Sequence, residues 1–257
     1  MKPESRSSHW RRTAAEGAAI IISILLAFWI DAWWEDRQQT QSDIAHLQGV
    51  LKEFQFHKVL LAEAMESHRT TVDTGYELFA LLEAEQSPEQ RTRIVEAINL
   101  MLNFYRINAP FGSLQTAISS GAIARMTDVG LASEIASWPT TIDDLLEEQD
   151  NAGATIILEH YARLGQKISL HEVYALRFAN PTGRGTAGVI DEVANIKAPE
   201  SHLTVDYKDI YDDHEIRNGF LLIMMFGQAA LGEATLADQK LEGLTERLEQ
   251  CVKLGRC

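Results

Sequence analysis

The feature that most constrains this chain is an uninterrupted apolar stretch near its start, at residues 14–34. It reads AAEGAAIIISILLAFWIDAWW, twenty-one residues in all. At a rise of 1.5 Å per residue, a helix of this length extends for about 30 Å, which matches the hydrocarbon thickness of a bilayer. Few soluble helices are apolar on every side over such a length. The stretch therefore predicts one transmembrane helix.

The charges on either side of residues 14–34 predict its orientation. Four basic residues precede it, whereas two acidic residues and one arginine follow it: Lys2, Arg6, Arg11 and Arg12, then Glu35, Asp36 and Arg37. The positive-inside rule then makes residues 1–13 a cytoplasmic stub and places residues 35–257 outside the cytoplasm. Tryptophans at both ends are typical of an interfacial aromatic belt: Trp10, Trp29, Trp33 and Trp34.

Two other interpretations of residues 14–34 compete with an anchor. A cleaved signal peptide has the same basic start and apolar centre, but no small-residue cleavage site follows Phe28. A buried core helix is the second alternative. We favour an uncleaved signal anchor, which makes the lipid bilayer one partner of the chain.

Small and polar residues recur along one side of the predicted span. Ser23, Ala27 and Asp31 are four residues apart and therefore share one helical face. Asp31 could simply mark the wet end of the helix, because a carboxylate is costly deeper in the membrane. The alternative is that this face packs against a partner helix, usually a second copy of the chain. We therefore expect self-association or a protein partner.

Charge and cysteine content exclude several classes of function. A net charge of −14 argues against nucleic acid as a partner and against the main domain lying on an anionic lipid surface. Cys251 and Cys257 are the only cysteines, so thiolate zinc sites and Cys-x-x-Cys redox chemistry are absent. In an oxidising compartment these two residues are either bridged across the helix-ending Gly255 or remain thiols.

Beyond residue 34 the hydrophobic spacing is almost everywhere that of helices. It predicts an all-α fold, in which the anchor continues into a bundle with long antiparallel helices. The predicted segments are 44–72, 78–85, one starting at Pro88, 113–124, one capped by Asp128, 142–164 and 215–254. No alternating run is long enough to predict a strand.

Candidate chemical motifs are few and weak. Residues 183–188 match G-x-G-x-x-G, but without a preceding strand they are better explained as a loop. The acidic residues between Asp206 and Glu215 lack the spacing of an EF-hand and predict a solvated linker, with weak cation binding as the alternative. Glu53 and His57 are interpreted as a surface pair on one helix face. We expect no cofactor, no metal ligands and no catalytic residues.

Two segments of the chain resemble an uncharacterised family of bacterial single-span membrane proteins. They are SILLAFWIDAWWEDR at 23–37 and FGSLQTAISSGAIARMTDVGLASEIASW at 111–138. The resemblance covers about residues 11–140, and its second motif centres on Ser119, Ser120 and Gly121. It implies a membrane-anchored helical protein and carries no activity. In place of neutral amides near the end of the span, this chain has Trp29, Asp31 and Ala32. From the residues themselves, Ser119-Ser120-Gly121 predicts a tight helix contact in which Gly121 lets a neighbouring backbone approach.

These observations favour a non-enzymatic, membrane-anchored interaction or scaffold protein. A ligand-binding sensor that acts through a partner is the first alternative, because a helical domain outside the cytoplasm suits such a role. A metal-dependent enzyme built on the acidic cluster is the second. A catalytic role for Ser119 or Ser120 would need a base and an oxyanion donor, for which the sequence has no signature.

Overall fold

The computed structural model describes residues 6–84, 87–103, 105–151, 153, 158–170, 173, 207–255 and 257, and all statements below concern these residues. Their regular secondary structure is entirely helical, which confirms the predicted all-α class. The helices are α1 (Arg6–Glu83), α2 (Pro88–Met101), α3 (Gly112–Ser119), α4 (Val129–Ala136), α5 (Trp138–Asn151), α6 (Leu158–Leu164), α7 (Lys208–Asp212) and α8 (His214–Leu254).

Helix α1 is continuous over 78 residues and joins the apolar stretch to the segments that follow. The expectation that the anchor helix continues beyond residue 34 is confirmed, but the separate helix expected at 78–85 is wrong. No proline lies between Arg6 and Glu83, so nothing removes a backbone donor from the helix. Residues 78–83 are the last turns of α1, and Leu78, Leu81 and Leu82 are buried there.

Helix α2 begins at Pro88, as the sequence predicts. Its N-cap is Ser87, whose Oγ accepts a hydrogen bond from the Gln90 amide at 3.3 Å. Gln90 Oε1 in turn accepts from the Ser87 amide at 2.8 Å. This reciprocal capping box satisfies two amides that the first helical turn would otherwise leave unpaired.

The chain divides into two compact units. Unit 1 contains residues 1–53, 112–136 and 246–257, and unit 2 contains residues 54–111 and 137–245. Helices α1 and α8 each contribute to both units. The units are described separately below.

In unit 1, carboxylates of α1 hold the α3 region. Glu53 accepts hydrogen bonds from the amides of Ser113 and Leu114 at 2.7 and 3.1 Å, and so caps the start of α3. Asp43 forms a two-pronged pair with Arg125 at 2.7 and 2.8 Å. This contact with the Arg125 guanidinium lowers the pKa of the Asp43 carboxyl.

The predicted N-cap of the fourth helix is also confirmed in unit 1. Asp128 Oδ1 accepts from the Leu131 amide at 2.9 Å, and its other oxygen binds Arg247 of α8 at 3.1 Å. Arg247 also donates to Glu134 of α4 at 2.8 Å. The amide and the guanidinium together lower the pKa of the Asp128 carboxyl.

In unit 2, α1 and α8 run antiparallel. Lys58 pairs with Glu242 at 3.5 Å, whereas Gly75, further along α1, lies against Met224, which is earlier in α8. A glycine on each helix permits the close approach at the Gly75 end, because a Cβ at Gly227 would lie 3.3 Å from a methyl of Val72. The long antiparallel helices expected from the sequence are therefore present in this unit.

Helix α8 begins within one residue of its predicted start. Its N-cap is Asp213, whose Oδ1 accepts from the amides of Glu215 and Ile216 at 3.1 and 3.3 Å. Helix α8, like α1, is long and apolar enough to cross a membrane by length and hydropathy. In the apolar 18-residue segment of α8, 39% of the residues are buried inside the protein. In the corresponding segment of α1, none of the residues is buried. Packing in the core of unit 2 therefore explains much of the apolarity of α8.

Candidate functional site

The apolar stretch of α1 is exposed on every side. Eleven large apolar side chains between residues 20 and 34 keep 49–67% of their surface accessible: Ile20, Ile21, Ile22, Ile24, Leu25, Leu26, Phe28, Trp29, Ile30, Trp33 and Trp34. Successive residues of a helix point about 100° apart, so this run leaves no side of the helix for a protein core. No other segment of the described chain has this character.

Leaving this stretch in water would be prohibitive. Full burial of a large apolar side chain contributes about 1.5–3 kcal/mol, so eleven side chains that are 49–67% exposed correspond to roughly 10–20 kcal/mol. The net stability of a folded domain is typically only about 5–15 kcal/mol. The segment therefore needs an apolar environment that the described residues of the chain do not provide.

Aromatic and basic side chains mark the C-terminal end of this stretch. The Trp33 and Trp34 rings lie 6.5 Å apart, and the Arg37 guanidinium lies 5.8 Å from the centre of the Trp33 ring. An amphipathic ring with a cation beside it is typical of the zone where hydrocarbon meets lipid headgroups. The polar residues that follow bond within the helix, with Thr40 Oγ1 donating to the Asp36 carbonyl at 2.9 Å.

The stripe of Ser23, Ala27 and Asp31 lies within this exposed stretch of α1. Ser23 Oγ donates to the Ala19 carbonyl at 2.8 Å, so this hydroxyl is satisfied inside its own helix. Ser23 therefore needs no partner helix, and Asp31 becomes the residue with most to gain from one. Self-association through the stripe stays a prediction.

The Ser119-Ser120-Gly121 motif forms the end of α3. Gly121 has a φ of +76°, a backbone conformation that favours glycine at a helix C-terminus. The predicted helix over 113–124 therefore stops at Ser119. The group closest to Gly121 is the guanidinium of Arg125, which would lie 2.7 Å from an added Cβ, so the expectation that Gly121 admits a neighbouring backbone is wrong.

The hydroxyls of the two serines bond within the end of α3 and the turn that follows it. Ser119 Oγ donates to the Thr116 carbonyl at 3.1 Å, and Ser120 Oγ donates to the Ala117 carbonyl at 3.2 Å. Arg125 reaches the Ser120 carbonyl at 2.9 Å while it holds Asp43. The motif thus ends α3 and connects it to α1.

Cys251 and Cys257 are joined by a disulfide in unit 1, with their Cα atoms 4.8 Å apart. Gly255 between them has a φ of +66°, which turns the chain back after α8. The Cys257 carbonyl accepts from the Thr127 amide at 2.5 Å and from the Thr127 hydroxyl. The bridged loop therefore attaches to the loop before α4.

His57 is not a surface residue, so the predicted surface pair with Glu53 is wrong. Its side chain is buried in unit 2, where its Nδ1 accepts a hydrogen bond from Trp138 Nε1 at 3.0 Å. An indole N–H can only donate, so the imidazole proton must be on Nε2. That nitrogen donates to the Pro110 carbonyl at 2.7 Å. His57 is held as a neutral imidazole with both nitrogens bonded.

A second buried histidine is bonded in a similar way. His68 Nε2 lies 3.2 Å from Gln149 Nε2, and Gln149 Oε1 accepts from the Ile107 amide at 3.2 Å. All three residues are at most 2% exposed. Burial lowers the pKa of His68 below its usual 6.5, which favours the neutral ring.

The two histidine contacts repeat at one spacing. His57 and His68 are eleven residues apart on α1, and Trp138 and Gln149 are eleven residues apart on α5. Eleven residues are close to three helical turns, so each pair occupies one face. Because both pairings ascend together, α1 and α5 run parallel in unit 2.

Both contacts end on the connector, which we define as residues 105–111 between α2 and α3. Further bonds hold it as well: Tyr105 donates to Glu63 at 3.1 Å, and Arg106 binds Asp150 at 2.6 and 3.0 Å. The buried histidines therefore help to fasten a non-helical segment to two helices. We name this set the buried histidine cluster: His57, His68, Trp138 and Gln149.

His160 of α6 is the third buried histidine. Its ring packs edge-on against Phe220 with centroids 4.5 Å apart, and it fills the space where Gly219 lacks a side chain. Its Nε2 is buried without a hydrogen-bond partner. Burial, helped by the nearby charge of Arg163, lowers the pKa of His160 to about 4.

The acidic cluster is not an unstructured linker, although the carboxylates of Asp209, Asp212 and Glu215 are exposed to solvent as predicted. Asp206 lies outside the described residues, but Tyr207 and Ile210 are buried, and residues 208–212 form α7. Asp213 caps α8, and the amides of Ile216 and Glu215 together with Lys167 lower the pKa of the Asp213 carboxyl. The described residues contain no grouping of three potential metal ligands. The G-x-G-x-x-G stretch at 183–188 also lies outside the described residues.

The buried histidine cluster was not predicted from the sequence. The available signal was the shared eleven-residue spacing of His57 with His68 and of Trp138 with Gln149. Histidine on an otherwise apolar face of a helix is a buried polar group, and such groups need partners. Which helix supplies the partner depends on tertiary packing.

Comparison with known proteins gives no relative that could assign an activity. No family model matches the chain, and neither the curated proteins nor the solved structures contain a match.

Proposed function

We propose that this chain is a membrane-anchored helical interaction protein without enzymatic activity. Residues 14–34 span a bacterial inner membrane, residues 1–13 lie in the cytoplasm, and residues 35–257 lie on the opposite side. The observation that carries the proposal is the all-round exposure of the eleven large apolar side chains between Ile20 and Trp34. A bilayer covers such a segment on every side, whereas a protein groove covers one face.

The buried polar groups support an interaction role rather than catalysis. His57 bonds to Trp138 and to the Pro110 carbonyl of the connector. Gln149 bonds to His68 and to the Ile107 amide of the connector. Ser119 and Ser120 bond to carbonyls of their own helix. A catalytic group must present a nucleophile or a base to a substrate, and these side chains are occupied in holding helices together.

The disulfide favours an oxidising location for unit 1. Structural disulfides persist outside the cytoplasm, where thiols are not kept reduced. The Cys251–Cys257 bond therefore agrees with the orientation inferred from the basic residues before the span.

Alkaline extraction of membranes tests the anchor with a matched control. In the first variant, Leu25 and Leu26 of α1 are both replaced by arginine. Each arginine at mid-membrane costs about 2.5–3.5 kcal/mol, so we expect this double variant to leave the membrane pellet. In the control, Leu221 and Leu222 of α8, an adjacent pair that is 43% and 41% exposed, are both replaced by arginine.

The two variants distinguish the two apolar helices. Retention of the control and loss of the Leu25/Leu26 variant supports α1 as the anchor. If the Leu221/Leu222 variant leaves the membrane pellet while the Leu25/Leu26 variant stays in it, α8 is the anchor instead of α1. Extraction of the unaltered chain at alkaline pH would contradict a transmembrane segment altogether.

A further inference from the structure

Gln149 connects a titratable side chain to a backbone amide of the connector. Its Oε1 accepts from the Ile107 amide at 3.2 Å, and its Nε2 lies 3.2 Å from His68 Nε2. Gln149 is fully buried, and Ile107 and His68 are 1% and 2% exposed. Water therefore has little access to replace either bond.

Hydrogen-bond chemistry determines the arrangement of these three groups. The Ile107 N–H only donates, so it must meet the oxygen of the Gln149 amide. The amide nitrogen then faces His68, which can accept only if its Nε2 carries no proton. Both bonds can exist together only while His68 is neutral.

We propose that His68 and Gln149 form a pH switch that fastens the connector while His68 is neutral and releases the Ile107 amide when His68 is protonated. Protonation places an N–H on His68 opposite the NH₂ of Gln149, so two donors meet. Rotating the amide by half a turn presents its oxygen to His68 but turns the NH₂ towards the Ile107 N–H. One of the two bonds is lost in either orientation, and a buried donor without a partner is costly.

Charged groups on α1, on α5, on the connector and on α8 lie near the switch. On α1, Glu66 pairs with Arg69 at 3.2 Å, and Glu63 receives the Tyr105 hydroxyl. Asp150 of α5 pairs with Arg106 of the connector. On α8, Gly227 lies against the His68 carbonyl, and the next charged residue along that helix is Glu233.

Burial lowers the pKa of His68 below its usual value. The switch therefore operates in mildly acidic conditions, below the ordinary range of histidine. A compartment outside the cytoplasm is exposed to external pH, and there the switch would make the attachment of the connector respond to acid.

The neighbouring His57 responds differently, which makes the effect local. Protonated His57 still donates from Nε2 to the Pro110 carbonyl and loses only the contact with Trp138. Acid should therefore free the connector at Ile107 while the Pro110 end stays attached.

Hydrogen–deuterium exchange at the Ile107 amide tests the switch in the full chain, held in detergent micelles. Measurements between pH 7.5 and pH 4.5 are corrected for intrinsic exchange, and circular dichroism confirms that the helices persist. Between 6.5, the ordinary pKa of histidine, and the lowered pKa of buried His68, each pH unit favours the released, protonated state by up to about tenfold. Protection of the wild-type amide should therefore fall by up to about tenfold per pH unit within that window.

Two variants and a control make the outcome specific. His68→Gln cannot be protonated, so the acid-dependent loss should disappear. Gln149→Glu supplies oxygens to both partners, so protection should persist in acid even with His68 protonated. His214→Gln, at an exposed histidine of α8, should behave as the wild type. Protection of Ile107 that does not change with pH, or that falls equally in His68→Gln, would overturn the switch.

Discussion

His160 makes the stability of unit 2 dependent on pH. Its ring is 3% exposed, and its pKa is lowered to about 4 from 6.5, the value expected when the chain unfolds. Since the unfolded chain binds the proton more tightly, stability is fully retained above pH 6.5 and declines as the pH falls towards 4. This single shift destabilises the fold by about 2 kcal/mol between pH 7.5 and pH 5.

Replacing His160 with leucine isolates this effect. Its Nε2 has no hydrogen-bond partner, so an apolar side chain of similar size should cost little at pH 7.5. Urea unfolding followed by circular dichroism at pH 7.5 and pH 5 gives the free energy of unfolding for both proteins. The variant should lose about 2 kcal/mol less than the wild type on acidification. Other titrating groups cancel in this comparison, and His214→Gln serves as the exposed-histidine control. Equal losses in wild type and His160→Leu would refute the argument.

Three further predictions concern unit 1 and the span. Gly121→Ala should reduce stability by about 1–2 kcal/mol, because its φ of +76° is strained for alanine. Thermal unfolding measures this loss. In the same assay the control Gly243→Ala, in open space on α8, should be neutral or stabilising. Glu53→Ala should cost about 1–2 kcal/mol through loss of the α3 cap, measured by urea unfolding. Cysteines placed singly along the span should cross-link most strongly at positions 23, 27 and 31, and uniform cross-linking would assign Asp31 to the interface alone.

The helices could be predicted from the sequence because they follow from local physics. Hydrophobic spacing identified the start of α2 at Pro88 and of α8 near Glu215, and Asp128 was correctly identified as an N-cap. Errors arose where a single residue decides the backbone. Gly121 ends α3 earlier than apolar spacing suggests, because the carboxyl end of that helix needs a left-handed residue.

The buried polar contacts could not be predicted because they join distant parts of the chain. His57 reaches Trp138 across 81 residues, and Glu53 reaches Ser113 across 60. From the sequence, Glu53 and His57 are neighbours on one helix face, and nothing local indicates that each has a remote partner. Polar residues on a mostly apolar face are the signal to look for, but the identity of the partner requires the fold.

The orientation of the chain across the membrane tests the central claim most directly. Two reporters are fused after Cys257 in separate versions of the gene: alkaline phosphatase, which is active only outside the cytoplasm, and a fluorescent protein that matures only inside it. With residues 35–257 outside the cytoplasm, we expect phosphatase activity without fluorescence. The phosphatase signal should be lost when Leu25 and Leu26 are both replaced by arginine. Fluorescence without phosphatase activity would place residues 35–257 in the cytoplasm and contradict the proposed topology.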